Sequence, residues 1–146
     1  MPTRTARTAW NGSLQEGSGQ VELSSSKVGT YEVSFPKRAA DEAGGATSPE
    51  ELIAAAHSAC YAMQFSAILG EAGGTVESLD VSADVSLGPD PAGGFKLTGI
   101  KLTVVGEVPG VDAAGFEKAA QEAKAGCPVS KALTGVEITL DARLEG

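Results

Sequence analysis

Apolar and polar residues alternate in short, strand-like runs along most of this 146-residue chain, with one exception. From Thr47 to Leu69 there is no glycine, and the opening of the stretch is a helix start. Thr47 or Ser48 serves as N-cap, Pro49 sits where its missing N–H costs nothing, and Glu50 and Glu51 face the positive end of the helix dipole. Thr47 with Glu50, and Ser48 with Glu51, have the spacing of a capping box. Beyond Glu51, the residues Leu52, Ile53, Ala56, Cys60, Met63, Ala67 and Ile68 fall on nearly every side of a helix. A helix apolar all round is a buried helix, so the pattern predicts one over 47–69 with the remaining chain wrapped around it.

The rest reads as strands and two further helices. Residues 3–10, 20–24 and 30–35 are short alternating segments, and Asn11-Gly12 and Gly29 mark turns, which predicts an N-terminal antiparallel meander. Residues 36–46 read as a loop. Residues 76–87 and 95–108 alternate over their whole length and are separated by the turn 88–94, which predicts a long hairpin. Asp112 caps a helix running to about Lys124, with Phe116, Ala119, Ala120 and Ala123 on its buried stripe; Ala125-Gly126 breaks it. Pro128 fits the first position of a short new helix over 127–133, leaving Cys127 at its N-cap. A last strand follows over 136–144. The expected architecture is one α+β domain over residues 1–146, with antiparallel β-sheets wrapped around a long buried central helix.

A chain of this length buries a core without metal or disulfide staples. The net charge of −8 argues against nucleic acid, whose phosphates require a basic face. No membrane span is expected, because Glu50, Glu51, His57 and Gln64 interrupt the most apolar stretch. The N-terminal residues lack the apolar run of a signal peptide, so the expected location is cytoplasmic. In a reducing compartment the two cysteines are expected as free thiols or a cycling pair, not a structural bridge.

Those cysteines carry the candidate chemistry. Cys127 opens a helix after a glycine, where unpaired N–H groups favour thiolate; the alternative is a cap residue without chemical consequence. Cys60 lies among Ala59, Tyr61 and Met63, surroundings that raise a thiol pKa, and by composition alone it reads as a small buried hydrophobe. A fixed cation would make it nucleophilic. Arg38 is the best candidate, with Glu50 to hold its guanidinium fork. On a continuous helix Glu50 lies roughly 15 Å from Cys60 along the axis, too far for one site in a single chain. Either the loop bridges that gap, or Arg38 and Glu50 complete the site of a second subunit, the option preferred here. His57, the single histidine, reads as a packed core residue, and without a local Cys-x-x-Cys or His-x-x-x-His pattern no zinc site is expected. Glu51 reads as capping and dipole compensation.

With these residues in place, the chain resembles the osmotically inducible protein C / organic hydroperoxide resistance family. The resemblance covers nearly the whole length and is strongest in Thr47-Ser-Pro-Glu-Glu-Leu-Ile-Ala-Ala-Ala-His-Ser-Ala-Cys60, in Leu79-Asp-Val-Ser-Ala-Asp-Val-Ser-Leu87, and in Ala123-Lys-Ala-Gly-Cys-Pro-Val-Ser130. Cys-Pro-Val-Ser and the region between Phe35 and Arg38 look more like the osmotically inducible branch. The resemblance implies a thiol-dependent peroxidase working as an intertwined homodimer with two interface sites, using no metal, flavin or haem. It makes Cys60 the peroxidatic and Cys127 the resolving cysteine, with Arg38 and Glu50 as the activating pair. It further implies a Cys60–Cys127 disulfide intermediate and an external dithiol reductant of lipoyl type. Met63, Phe65 and Leu52 are candidate apolar walls favouring organic hydroperoxides over hydrogen peroxide. Two rival classes remain: a non-catalytic dimer binding a small apolar ligand, and a redox sensor whose disulfide alters a partner interaction.

Overall fold

Two separate sheets organise the chain, each in its own unit of the computed structural model, which describes residues 1–146. The first unit, Met1–Pro49, holds the meander β1 (Arg7–Asn11), β2 (Ser18–Glu22) and β3 (Thr30–Val33), antiparallel throughout. Its buried hydrophobic residues are Val21 and Ala46, while Trp10, Leu14, Val28 and Tyr31 are exposed. The segment after β3, expected as loop from residue 36 onward, begins as a short helix, α1 (Phe35–Ala39). Ser34 caps it by accepting from the Lys37 N–H, and Pro36 lies in the first turn, where its ring costs no hydrogen bond.

The second unit, Glu50–Gly146, contains the long helix α2 (Pro49–Glu71), which starts at the unit boundary. After it come the hairpin β4 (Ser78–Pro89) and β5 (Phe95–Glu107), then α3 (Ala113–Gly126), α4 (Pro128–Ala132) and β6 (Ile138–Glu145). Asp112 caps α3 as expected, accepting from the Gly115 N–H at 2.7 Å. The sheet order is β4-β5-β6. The expectation of purely antiparallel sheets fails at one edge, because β6 pairs parallel to β5. Parallel neighbours require a crossover, and α3 and α4 are that crossover.

The core joins α2, β5 and α3. His57, Tyr61, Phe65 and Leu69 recur every fourth residue and are fully buried, forming one stripe down α2. The Phe65 ring lies 4.9 Å from Phe116 and 5.5 Å from Tyr61, centre to centre. Each such buried ring or leucine is worth roughly 1.5–3 kcal/mol relative to exposure. Leu102, Val104 and Val108 pack into the same cluster, and Ala119, Ala120 and Ala123 let α3 come close. Gly106 is glycine for lack of room: a Cβ there would meet Phe116 and Leu79 at 2.8 Å.

The helix is not buried all round. Ala56, Ala59, Met63 and Ala67 lie on the face away from the stripe and are exposed, Met63 to 73%. One chain has enough partners for one side of α2, and the opposite apolar side is open. Phe65 belongs to the core and does not line a substrate pocket. By length and composition α2 is apolar enough to cross a membrane, contrary to the expectation that its polar residues exclude this. Its buried stripe is nevertheless committed to the core of the second unit.

Candidate active site

Cys60 sits one residue before Tyr61 on α2, at the margin of the buried stripe. Cys127 ends α3 and begins α4 at once. Its N–H donates to the Ala123 carbonyl at 2.9 Å and its carbonyl accepts from the Lys131 N–H at 3.0 Å, so both helices fix its backbone. Pro128 takes the first helical position, as expected. The preceding Gly126 leaves room for Gln64, whose side chain lies 3.2 Å from where a Cβ would stand. Across 67 positions of sequence the two sulfurs meet, with Cys127 Sγ 3.0 Å from Cys60 Sγ and both thiols free. That is about 1 Å longer than a disulfide bond, so small side-chain rotations suffice to close it.

The two thiols differ in exposure and in acidity. Cys127 is completely buried, whereas Cys60 is half-buried. Burial pushes the Cys60 thiol up, and the neighbouring Cys127 adds to this against the Val129 N–H, which favours thiolate. Burial also acts upward on Cys127. It is outweighed there by the neighbouring Cys60 thiol first and then by the polar groups at Ser130 and Val129, so Cys127 lies below an ordinary thiol. The Cys127 side chain itself makes no capping hydrogen bond to the first turn of α4.

The other expected site residues are distributed as follows. Arg38 stands in the last turn of α1 in the first unit. Glu50 is buried in the first turn of α2, and α2 is continuous from there to Cys60, which keeps the separation of roughly 15 Å along its axis. His57 is fully buried, as expected of a core residue, but it is polar and paired: its Nε2 lies 2.7 Å from Ser130 Oγ. Ser130 was not anticipated as a site residue. The signal for it was its place in the first turn after Cys127-Pro128, where a serine hydroxyl reaches back to the cap position.

Fold and cysteine pair together define a two-cysteine thiol protein of the α+β class. The comparisons give that class its family: residues 41–141 match the OsmC-like protein model, and the chain belongs to this family. It is 47% identical to the peroxiredoxin OsmC of Escherichia coli (strain K12) over 136 residues, covering 93% of this chain and 92% of that protein. It is 37% identical to the organic hydroperoxide resistance protein OhrA of Bacillus subtilis (strain 168) over 122 residues, 82% and 84% of the two chains. The higher identity lies on the OsmC side, in agreement with the branch assigned from Cys-Pro-Val-Ser. The crystal structure of an organic hydroperoxide resistance protein from Elizabethkingia anophelis superposes with a TM-score of 0.79 at 27% identity, covering 99% of this chain and 98% of that one.

Proposed function

We propose that this protein is a thiol-dependent peroxidase that reduces organic hydroperoxides to alcohols, and hydrogen peroxide less efficiently. The observation that carries the reading is the sulfur pair: two free thiols 3.0 Å apart, one reachable and one enclosed. Cys60 is the thiol a hydroperoxide reaches. Its thiolate attacks the O–O bond, releasing the alcohol and leaving Cys60 as sulfenic acid. Cys127 then condenses with it, expelling water and forming the Cys60–Cys127 disulfide, which an external dithiol, of lipoyl type on family grounds, reduces. No metal or organic cofactor enters these steps.

Burial pushes Cys60 away from thiolate, so the reading requires a cation at its sulfur. Arg38 supplies it and Glu50 orients the guanidinium, across a homodimer interface. The apolar exposed stripe of α2, Ala56, Ala59, Met63 and Ala67, supports such an interface. The family match crosses the boundary between the two units, which supports residues 1–146 as one OsmC-like domain. The free thiols fit the cytoplasm.

The test is consumption of cumene hydroperoxide with dithiothreitol or dihydrolipoamide. Cys60→Ser should abolish turnover and Cys127→Ser should slow it and promote overoxidation. A wild-type protein that does not turn over would move the function to a non-catalytic apolar-ligand-binding dimer. Mixing inactive Cys60→Ser with inactive Arg38→Ala should restore partial activity if the site is shared between subunits; no recovery after demonstrated subunit exchange sinks that arrangement.

A further inference from the structure

The sulfur pair is the middle one of three contacts between α2 and the segment that turns from α3 into α4. Three residues before Cys60, His57 Nε2 lies 2.7 Å from Oγ of Ser130, which is three residues after Cys127. Four residues after Cys60, the Gln64 side chain lies over Gly126, the residue just before Cys127, 3.2 Å from where a Cβ would stand. The offsets run in opposite directions, so the two segments pass antiparallel, with Cys60 facing Cys127 between the outer contacts. His57 is 0% and Ser130 6% exposed, so water does not compete for their hydrogen bond. His57 Nδ1 is buried without a partner. An orphaned N–H there costs more than an orphaned lone pair, which assigns the proton to Nε2 as donor to Ser130 Oγ.

We infer that the His57–Ser130 hydrogen bond is a clasp that sets the spacing of the two sulfurs and so positions them for disulfide closure. Its use in turnover rests on the peroxidase reading, to whose second step it adds two positioning residues. Neither side chain needs to touch a sulfur. His57 is one turn from Cys60 on a continuous helix. Ser130 is one turn from Cys127, and the bond from the Lys131 N–H to the Cys127 carbonyl, 3.0 Å, closes that turn. Holding the two outer residues therefore holds the two backbones that carry the sulfurs. The five residues of α4 are too few to stay helical and in place without an anchor. Without the clasp, this turn gains freedom while the thiols are reduced, but none once the disulfide has tied it down. The clasp thus lowers the ordering cost of forming the bridge. Gly126 serves the same seam from its other end, where the absence of a Cβ leaves the place that Gln64 fills.

The experiment equilibrates the full-length protein with reduced and oxidised glutathione. Cys60 and Cys127 give two electrons and two protons to one glutathione disulfide, which yields the protein bridge and two glutathione thiols. The bridged fraction is read by acid quench and intact mass. Ser130→Ala and His57→Leu should each shift the equilibrium about fivefold toward the dithiol, the worth of one ordinary hydrogen bond. The double variant should shift it no further than the larger single change, because both remove the same bond. His57→Gln, which keeps an N–H donor at similar reach, and Ser130→Thr should recover most of the shift. Urea midpoints should fall further in the bridged form of Ser130→Ala than in its reduced form. A bond that only stabilises the fold lowers both forms alike and leaves the glutathione equilibrium at its wild-type value; that result overturns the clasp, as do additive shifts in the double variant. The equilibrium needs no hydroperoxide. A wild type that bridges as expected but consumes no hydroperoxide loses the peroxidase reading and keeps the clasp; one that turns over while the variants bridge like wild type loses the clasp alone.

Discussion

The two units of the chain are built to different standards. The second closes a core in which Tyr61, Phe65, Leu69, Leu102, Val104 and Phe116 are at most 1% exposed. The first has a three-stranded sheet of comparable regularity, yet Val21 and Ala46 are its buried hydrophobic residues and β1 is exposed along its length. A three-stranded sheet needs an apolar face against something in order to persist. Regular hydrogen bonding alone therefore marks neither unit as self-sufficient; what separates them is how much apolar surface each removes from water.

The comparison makes graded predictions. Phe116→Ala empties the centre of the second unit and should cost about 3–5 kcal/mol, read as a fall in the urea midpoint. Gly106→Ala should cost about 1–3 kcal/mol, because its methyl would press on Leu79 and on the Phe116 ring, which is enclosed in the core. Val21→Ala, in the first unit, should cost about 1–2 kcal/mol, and amide exchange in β1–β3 should outpace that in β5. A Val21→Ala loss equal to that of Phe116→Ala would erase the distinction. The smallest effect concerns acid. Burial holds His57 below its ordinary pKa of 6.5, so the unfolded chain binds the proton first. His57 therefore contributes stability that is present above 6.5 and is lost as pH falls below it. Wild type should lose more of its urea midpoint between pH 7 and 5 than His57→Gln does; equal slopes would place the acid sensitivity elsewhere.

What the sequence showed follows physical range. The hairpin β4–β5 was legible because thirteen alternating residues leave one register that buries one face. Asp112 and Pro128 announced α3 and α4 through purely local chemistry. The helix α1 was missed because five residues show no periodicity; Ser34 ahead of Phe35-Pro36 was its one signal. The direction of β6 is encoded in no local pattern, and its parallel pairing emerged only with the crossover. The open face of α2 reads in sequence like the buried one, since composition does not say whose atoms cover it. Cys60 and Cys127 were singled out from their surroundings and the family resemblance, but their meeting, and the pairing of His57 with Ser130, belong to tertiary structure alone.

The parallel pairing of β5 with β6 also sets an order in time. No hairpin closes this pair; the chain must complete α3 and α4 before β6 docks alongside β5. Long-range parallel contacts of this kind are slow to form, since loop closure precedes any gain from pairing. Cys127 lies inside that crossover, whereas Cys60 lies on a helix that precedes both strands. During folding, Cys60 exists for an interval without Cys127 beside it, and a sulfenic acid formed then has no thiol 3.0 Å away to condense with. The crossover thereby ties the meeting of the two sulfurs to the completion of the fold.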